Sequence, residues 1–368
     1  MRKRVSVFSL AVLILAGCTA ETDHLADKPA DITDPVKKND QDRKNVTQQL
    51  LKADPATFHF VADWLTDSTI AYVEKSDGRY KVNSFDLETG KTMMLYEDSS
   101  MIIDVLIHPL REYMLIHTSD DPTAATVKLM TIDGVVQDEL TVASTELAIE
   151  WNDLDPQLIL LTGFQPDWTF DVFLYDGHKE QFGLLTMEEP FPKWFGTEKV
   201  VLGRVAEHAL DGAELLTYEL ATEQWSLLDV GNAIYFDTYE DVILIASLGD
   251  ENTAKYTIRG QDGEIRSEWQ MPAISNYSEW IHPDIEWISK DVIVLAAPDE
   301  GGQLDELASP YRLIRVTEGR QEVVTEEVIQ SSLRCSPAGK YCLTGYSLET
   351  LIDVETKKEI PWLTFPES

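Results

Sequence analysis

The chain has 368 residues, 43% of them hydrophobic, with 65 acidic against 30 basic residues and a formal net charge of −35. A surface this acidic repels phosphate backbones and excludes nucleic acid as a partner. The length exceeds one ordinary core, and no interior linker divides it, so one large modular domain is expected.

Residues 1–17 read as a signal peptide. Arg2, Lys3 and Arg4 form a positive start, and Val5 to Ala16 is an apolar run broken only by Ser6 and Ser9. Twelve residues are too few to span a ~30 Å hydrocarbon core, but suit a signal segment. The run ends in Leu15-Ala16-Gly17-Cys18, which resembles the lipobox of bacterial lipoproteins. The resemblance implies a diacylglyceryl thioether on Cys18, cleavage before it, and an extracytoplasmic chain held at the cell membrane. Two acyl chains anchor stably, at about 0.8 kcal/mol per buried methylene. Without residues 1–17 the charge becomes −35 − 3 = −38.

Residues 18–56 are rich in Asp, Lys, Thr, Asn, Gln and Pro. They bury too little apolar surface to offset ordering entropy, so a flexible tether is expected, with a short helix over Val46 to Lys52 ended by Asp54-Pro55.

Residues 57–368 repeat one pattern. The anchor residues are Trp64, Ile107, Trp151, Trp194, Phe236, Trp287 and Cys335. A period of about 40–45 residues with four short strands per unit marks a β-propeller. In the first unit the expected strands are Phe58–Trp64, Thr69–Glu74, Tyr80–Leu87 and Lys91–Tyr96. The later second strands, Tyr113–His117, Leu158–Thr162, Val200–Arg204, Val242–Ala246 and Val292–Ala296, are nearly all apolar, as strands covered on both faces should be. The fold class expected is all-β, a propeller of seven four-stranded blades by repeat count. Long helical patterns, which a doubly wound fold needs, are missing. The wide spacing near Trp287 goes with a long acidic loop from Pro298 to Pro310.

Together the lipobox, the spacer and the degenerate repeat resemble the YqgU-like lipoproteins of Gram-positive spore-forming bacteria. The phrases Ser336-Pro337-Ala338-Gly339-Lys340-Tyr341 and Asp353-Val354-Glu355-Thr356-Lys357 are also similar to turns of TolB-type and WD-like propellers. The resemblance covers most of the chain and implies six blades, the alternative to seven. It implies an architecture and carries no activity.

Cys335 and Cys342 lie seven apart across one expected hairpin, within reach of a disulfide in an oxidising exterior. Two free cysteines packed as small apolar groups are the alternative. The loops joining second to third strands gather on one face and carry Asp77, Asp121, Asp167 with Trp168, Asp211, Asp250 and Asp299. Tight turns need Asp, Asn and Gly for their own geometry. The functional reading is a rim for a ligand, with no known cofactor and a divalent cation left open. His117, inside an apolar strand, reads as a hydrogen-bonded core group. Motifs for zincins, serine hydrolases, dinucleotide binding and EF-hands are missing. The leading function is a binding or scaffolding module for a cell-envelope protein or glycan. The alternative is a metal-assisted propeller enzyme of lyase, lactonase or phosphatase type.

Overall fold

The computed structural model describes residues 48–250, 252–307, 311–328 and 332–366. Cys18 and the signal segment lie outside them. Among the described residues, seven four-stranded antiparallel meanders follow one another, over residues 58–98, 101–143, 146–185, 193–227, 235–272, 285–328 and 334–361. We number these sheets 1 to 7. The second strands carry long buried runs, and Leu158–Phe164 is buried at all seven positions. Such a strand has sheet neighbours on both edges and other sheets on both faces, so only apolar side chains suit it.

The core is seven clusters, each shared by two successive sheets. One joins sheet 1 to sheet 2 through Val73, Val82, Val105 and Met114. Another, through Trp64, Ile70, Tyr341, Leu351 and Trp362, joins sheet 7 back to sheet 1 and closes the ring. Full burial of one indole removes roughly 200 Å² from water, worth about 5 kcal/mol before entropy is counted. Trp64 and Trp362 are both fully buried at this seam. Closure involves no exchange of strands: each sheet is continuous in sequence. It is completed by a short parallel pair, Leu51–Lys52 with Leu363–Thr364, and by the Trp64 indole donating to the Arg334 carbonyl at 3.0 Å.

Of the helix expected over Val46 to Lys52, the first two residues lie outside the described ones, and over the rest that pair replaces it. Leu51 N–H donates to the Trp362 carbonyl and Ala53 N–H to the Thr364 carbonyl, so the backbone is taken by tertiary pairing. Residues 51–56 belong with the folded body. Two further differences appear. In sheet 5 the position equivalent to Trp64 is Thr238, which pairs with buried Ile243 as Trp64 pairs with Ile70. Phe236 lies two residues earlier and packs toward sheet 4. The acidic loop after Pro298 contributes Gly302–Gln303 to a small sheet with Ile274–Ser275 and Trp280–Ile281, so it is anchored over the fifth and sixth sheets.

Candidate functional site: a charged axial ring under a loop face

The first strand of each sheet lies nearest the axis, and the residue just before its anchor faces that axis. In chain order these residues are Asp63, Leu106, Glu150, Lys193, Asp237, Glu286 and Arg334. Register fixes their equivalence, because the anchors that follow pair with Ile70, Met114, Ile159, Val200, Ile243, Ile293 and Cys342, all almost fully buried.

The charges pair from one first strand to the next. Lys193 Nζ sits 3.1 Å from Glu150 Oε2 and 3.3 Å from Asp237 Oδ1, bridging sheets 3, 4 and 5. Arg334 Nη1 lies 3.2 Å from Glu286 Oε1. Arg111, from the turn of sheet 2, lies 3.2 Å from Asp63 Oδ2. Backbone and indole donors take the remaining oxygens. The Trp287 indole donates to Asp237 Oδ2 at 2.8 Å, and Cys335 N–H to Glu286 Oε2 at 3.1 Å. The Trp194 indole donates to the Glu150 carbonyl.

Protein crowds the ring on every side, although its side chains keep 17–39% of their surface accessible. Burial raises the carboxyls of Asp63 and Glu150 above their ordinary range, against the pull of Arg111 and Lys193 respectively. Burial likewise pushes Glu286 up to about 7, opposed by Arg334. Asp153, one turn beyond the ring, is pushed up to about 7 by burial, although it accepts the Glu240 N–H. The Glu150 carboxylate, ahead of Asp237, raises Lys193 and keeps it charged. Each cation thus holds neighbouring carboxylates together, a role in ring closure.

Sequence reading missed this ring. A signal was present: the column before the anchor is charged in six of seven repeats. It was hidden in sheet 5, where the anchor is Thr238.

The loops joining second to third strands share one face with the segments between sheets. Side-chain contacts tie the two sets together: Ser100 Oγ donates to Asp120, Asn232 to the Asp211 carbonyl, and Tyr277 to Asp305. The rim acids are mostly occupied by their own turns. Asp77 and Gly78 both have positive φ in a two-residue turn. Asp121 Oδ1 accepts the Thr123 N–H and hydroxyl, and Asp167 Oδ1 accepts those of Thr169. Asp211 ends a 3₁₀ turn, the Asp250 carbonyl accepts from Thr253, and Asp299 lies 3.1 Å from Arg312. Among the described residues, no three His, Cys, Asp or Glu side chains form a group that could hold a metal ion. The rim acids are therefore separate turn residues and form no single ligand set.

Trp168, by contrast, is 74% exposed at a φ of 67°. Tyr346, Tyr277 and Phe191 are exposed on the same face. His117 corrects another expectation: it is half-buried, and among the described residues it makes no hydrogen bond. Cys335 and Cys342 are directly opposite in the first hairpin of sheet 7 and are joined as a disulfide, with Cα atoms 4.0 Å apart. Both are buried between sheets 6 and 7.

Residues 86–345 match a family model described as a YqgU-like 6-bladed beta propeller domain. The chain is 24% identical over 361 residues to the uncharacterised lipoprotein YqgU of Bacillus subtilis (strain 168), covering 96% of this chain and 95% of that one. Among solved structures it is similar to an uncharacterised protein of Listeria monocytogenes EGD-e, at a TM-score of 0.80 and 17% identity over 87% of this chain and 99% of that one. It is also similar to the β-propeller domain of the Trilobed protease from Pyrococcus furiosus, described as having an open velcro topology, at a TM-score of 0.54 and 12% identity over 84% and 100% of the chains. The matched segment begins late in sheet 1 and ends midway through sheet 7, and the seven four-stranded sheets among the described residues are one more than the family description counts. Among the described residues no helix is long and apolar enough to cross a membrane.

Proposed function

This chain belongs to the YqgU-like six-bladed β-propeller family, and we propose that it is an extracytoplasmic binding or scaffolding module, anchored through Cys18, that docks a cell-envelope protein or glycan on its loop face. The observation that carries this reading is the set of exposed aromatics there, Trp168, Phe191, Tyr277 and Tyr346. Exposed aromatic side chains combine large contact area with low ordering cost, which is why binding surfaces are rich in them. The lipoprotein relative supports the anchor. The lyase, lactonase or phosphatase alternative requires acids and histidines to converge. Among the described residues, no three such side chains come together closely enough to hold a metal ion.

The test is site-specific photocrosslinking in intact cells. A crosslinking residue replaces Trp168 in one strain and Leu154, exposed on the opposite face, in another. The Trp168 probe is expected to yield a reproducible envelope partner and the Leu154 probe none. Equal yields from both faces, or no adduct from either, would overturn the proposal.

A further inference from the structure

On the loop face, where sheets 2 and 3 meet, an open cavity of about 420 Å³ is lined by Asp104, His117, Asp121, Ser144, Glu146 and Leu147. Asp121, Ser119 and Thr145 are taken by their own turns and backbone, but other polar groups of the lining are not. Ser144 is only 4% exposed, and its Oγ has no hydrogen-bond partner. Neither ring nitrogen of His117 is bonded among the described residues. His108, by comparison, accepts the Leu110 N–H and meets the Asn152 carbonyl, while His59 and His282 lie against aromatic rings. Among the described residues Glu146 makes no ion pair, and Asp104 accepts the neighbouring Val105 N–H and lies within electrostatic reach of Arg334 and His117. Buried polar groups without a protein partner call for one from outside.

The local sequence builds this deliberately. An irregularity between Ile102 and Asp104 shifts the register, so that Asp104 stands directly opposite His117 on the neighbouring strand. His117 falls three residues after Met114. The equivalent positions in the other sheets hold Val73, Thr162, Gly203, Ala246, Ala296 and Gly345. The fold therefore asks for a small or apolar residue there, and only sheet 2 supplies an ionisable one.

The chemistry selects the ligand. Asp104 and Glu146 are exposed at the mouth with no cation among the lining residues. Burial lowers His117 and keeps it neutral, able both to donate and to accept. Ala124, Ala125 and Leu147 offer an apolar wall. We propose that this cavity binds a protonated amino sugar, its ammonium held by Asp104 and Glu146 and its hydroxyls paired with His117 and Ser144. The volume lies in the range of small-molecule sites. This goes beyond the docking reading, because the cavity needs no macromolecular partner.

Isothermal titration of the purified protein with D-glucosamine tests it, against glucose, N-acetylglucosamine and N-α-acetyl-lysine amide. Saturable binding of glucosamine is expected, at least about tenfold tighter than either neutral sugar. Glu146→Gln, at an exposed position, and His117→Ala should each weaken it by about tenfold, with circular dichroism confirming that both variants remain folded. No saturable binding, or equal binding of glucose, overturns the proposal. Unchanged binding by both folded variants overturns the site. Equal or tighter binding of the lysine amide overturns the sugar assignment in favour of a lysine socket. Trp168 shares the loop face but does not line the cavity, so crosslinking and sugar titration have separate readouts and either proposal can fail while the other stands.

Discussion

At the scale of single residues, the axial carboxyls illustrate how burial and pairing compete. Glu286 loses hydration in the ring, and Arg334 returns only part of what is lost, so its carboxyl is held at about 7. An unfolded glutamate titrates near 4.3. The folded form thus binds the proton more tightly. The stability this contributes is fully present below about pH 4 and is lost as pH rises through about 7. Asp153 acts in the same direction. We expect the melting temperature to fall between pH 5 and pH 8, and Glu286→Gln to flatten that fall while keeping an oxygen to accept the Cys335 N–H. Thermal melts of both proteins across that range check it; identical slopes would show that Glu286 does not titrate there.

At the scale of elements, the first hairpin of sheet 7 is the shortest, with Arg334–Cys335 paired to Tyr341–Thr344. Two backbone pairs hold little by themselves, and the disulfide adds a covalent tie across a loop seven residues apart in sequence. So small a loop restrains the unfolded chain by roughly 2–3 kcal/mol at most. Reductant should therefore lower the unfolding free energy by about 2 kcal/mol, read from denaturation curves with and without it. Both sulfurs are buried, so protection from alkylation in the native state says nothing about the bond. Labelling after unfolding without reductant does: uptake by either thiol would show the pair reduced.

For the molecule as a whole, the decisive contact is the seam between the last sheet and the first. No strand crosses it, so its strength rests on the Trp64 cluster, the Leu51–Leu363 pairing and the Ala338 N–H bond to Asp67. Trp64→Ala should cost about 3–5 kcal/mol, as for other buried aromatics. Trp64→Phe should cost less, losing chiefly the indole bond to Arg334. Urea unfolding measures both; a loss under about 1 kcal/mol for the alanine variant would mean that the ring closes by other contacts. The surrounding charge of −35 makes self-repulsion part of what this seam must overcome.

The sequence alone determined the repeat. Strand alternation is local, so Phe58–Trp64 and the apolar second strands were legible residue by residue, as was the facing pair Cys335 and Cys342. Tertiary structure decided what the repeat is used for. The axial ring needs seven first strands brought side by side, the Leu51 strand needs a partner three hundred residues away, and Thr238 shows itself as an anchor only when paired with Ile243. The same holds for the cavity, where Asp121 of the expected rim meets Asp104, His117 and Glu146 from neighbouring strands and sheets. Periodicity within a chain reports which face a side chain takes; only ring closure reports what stands opposite it.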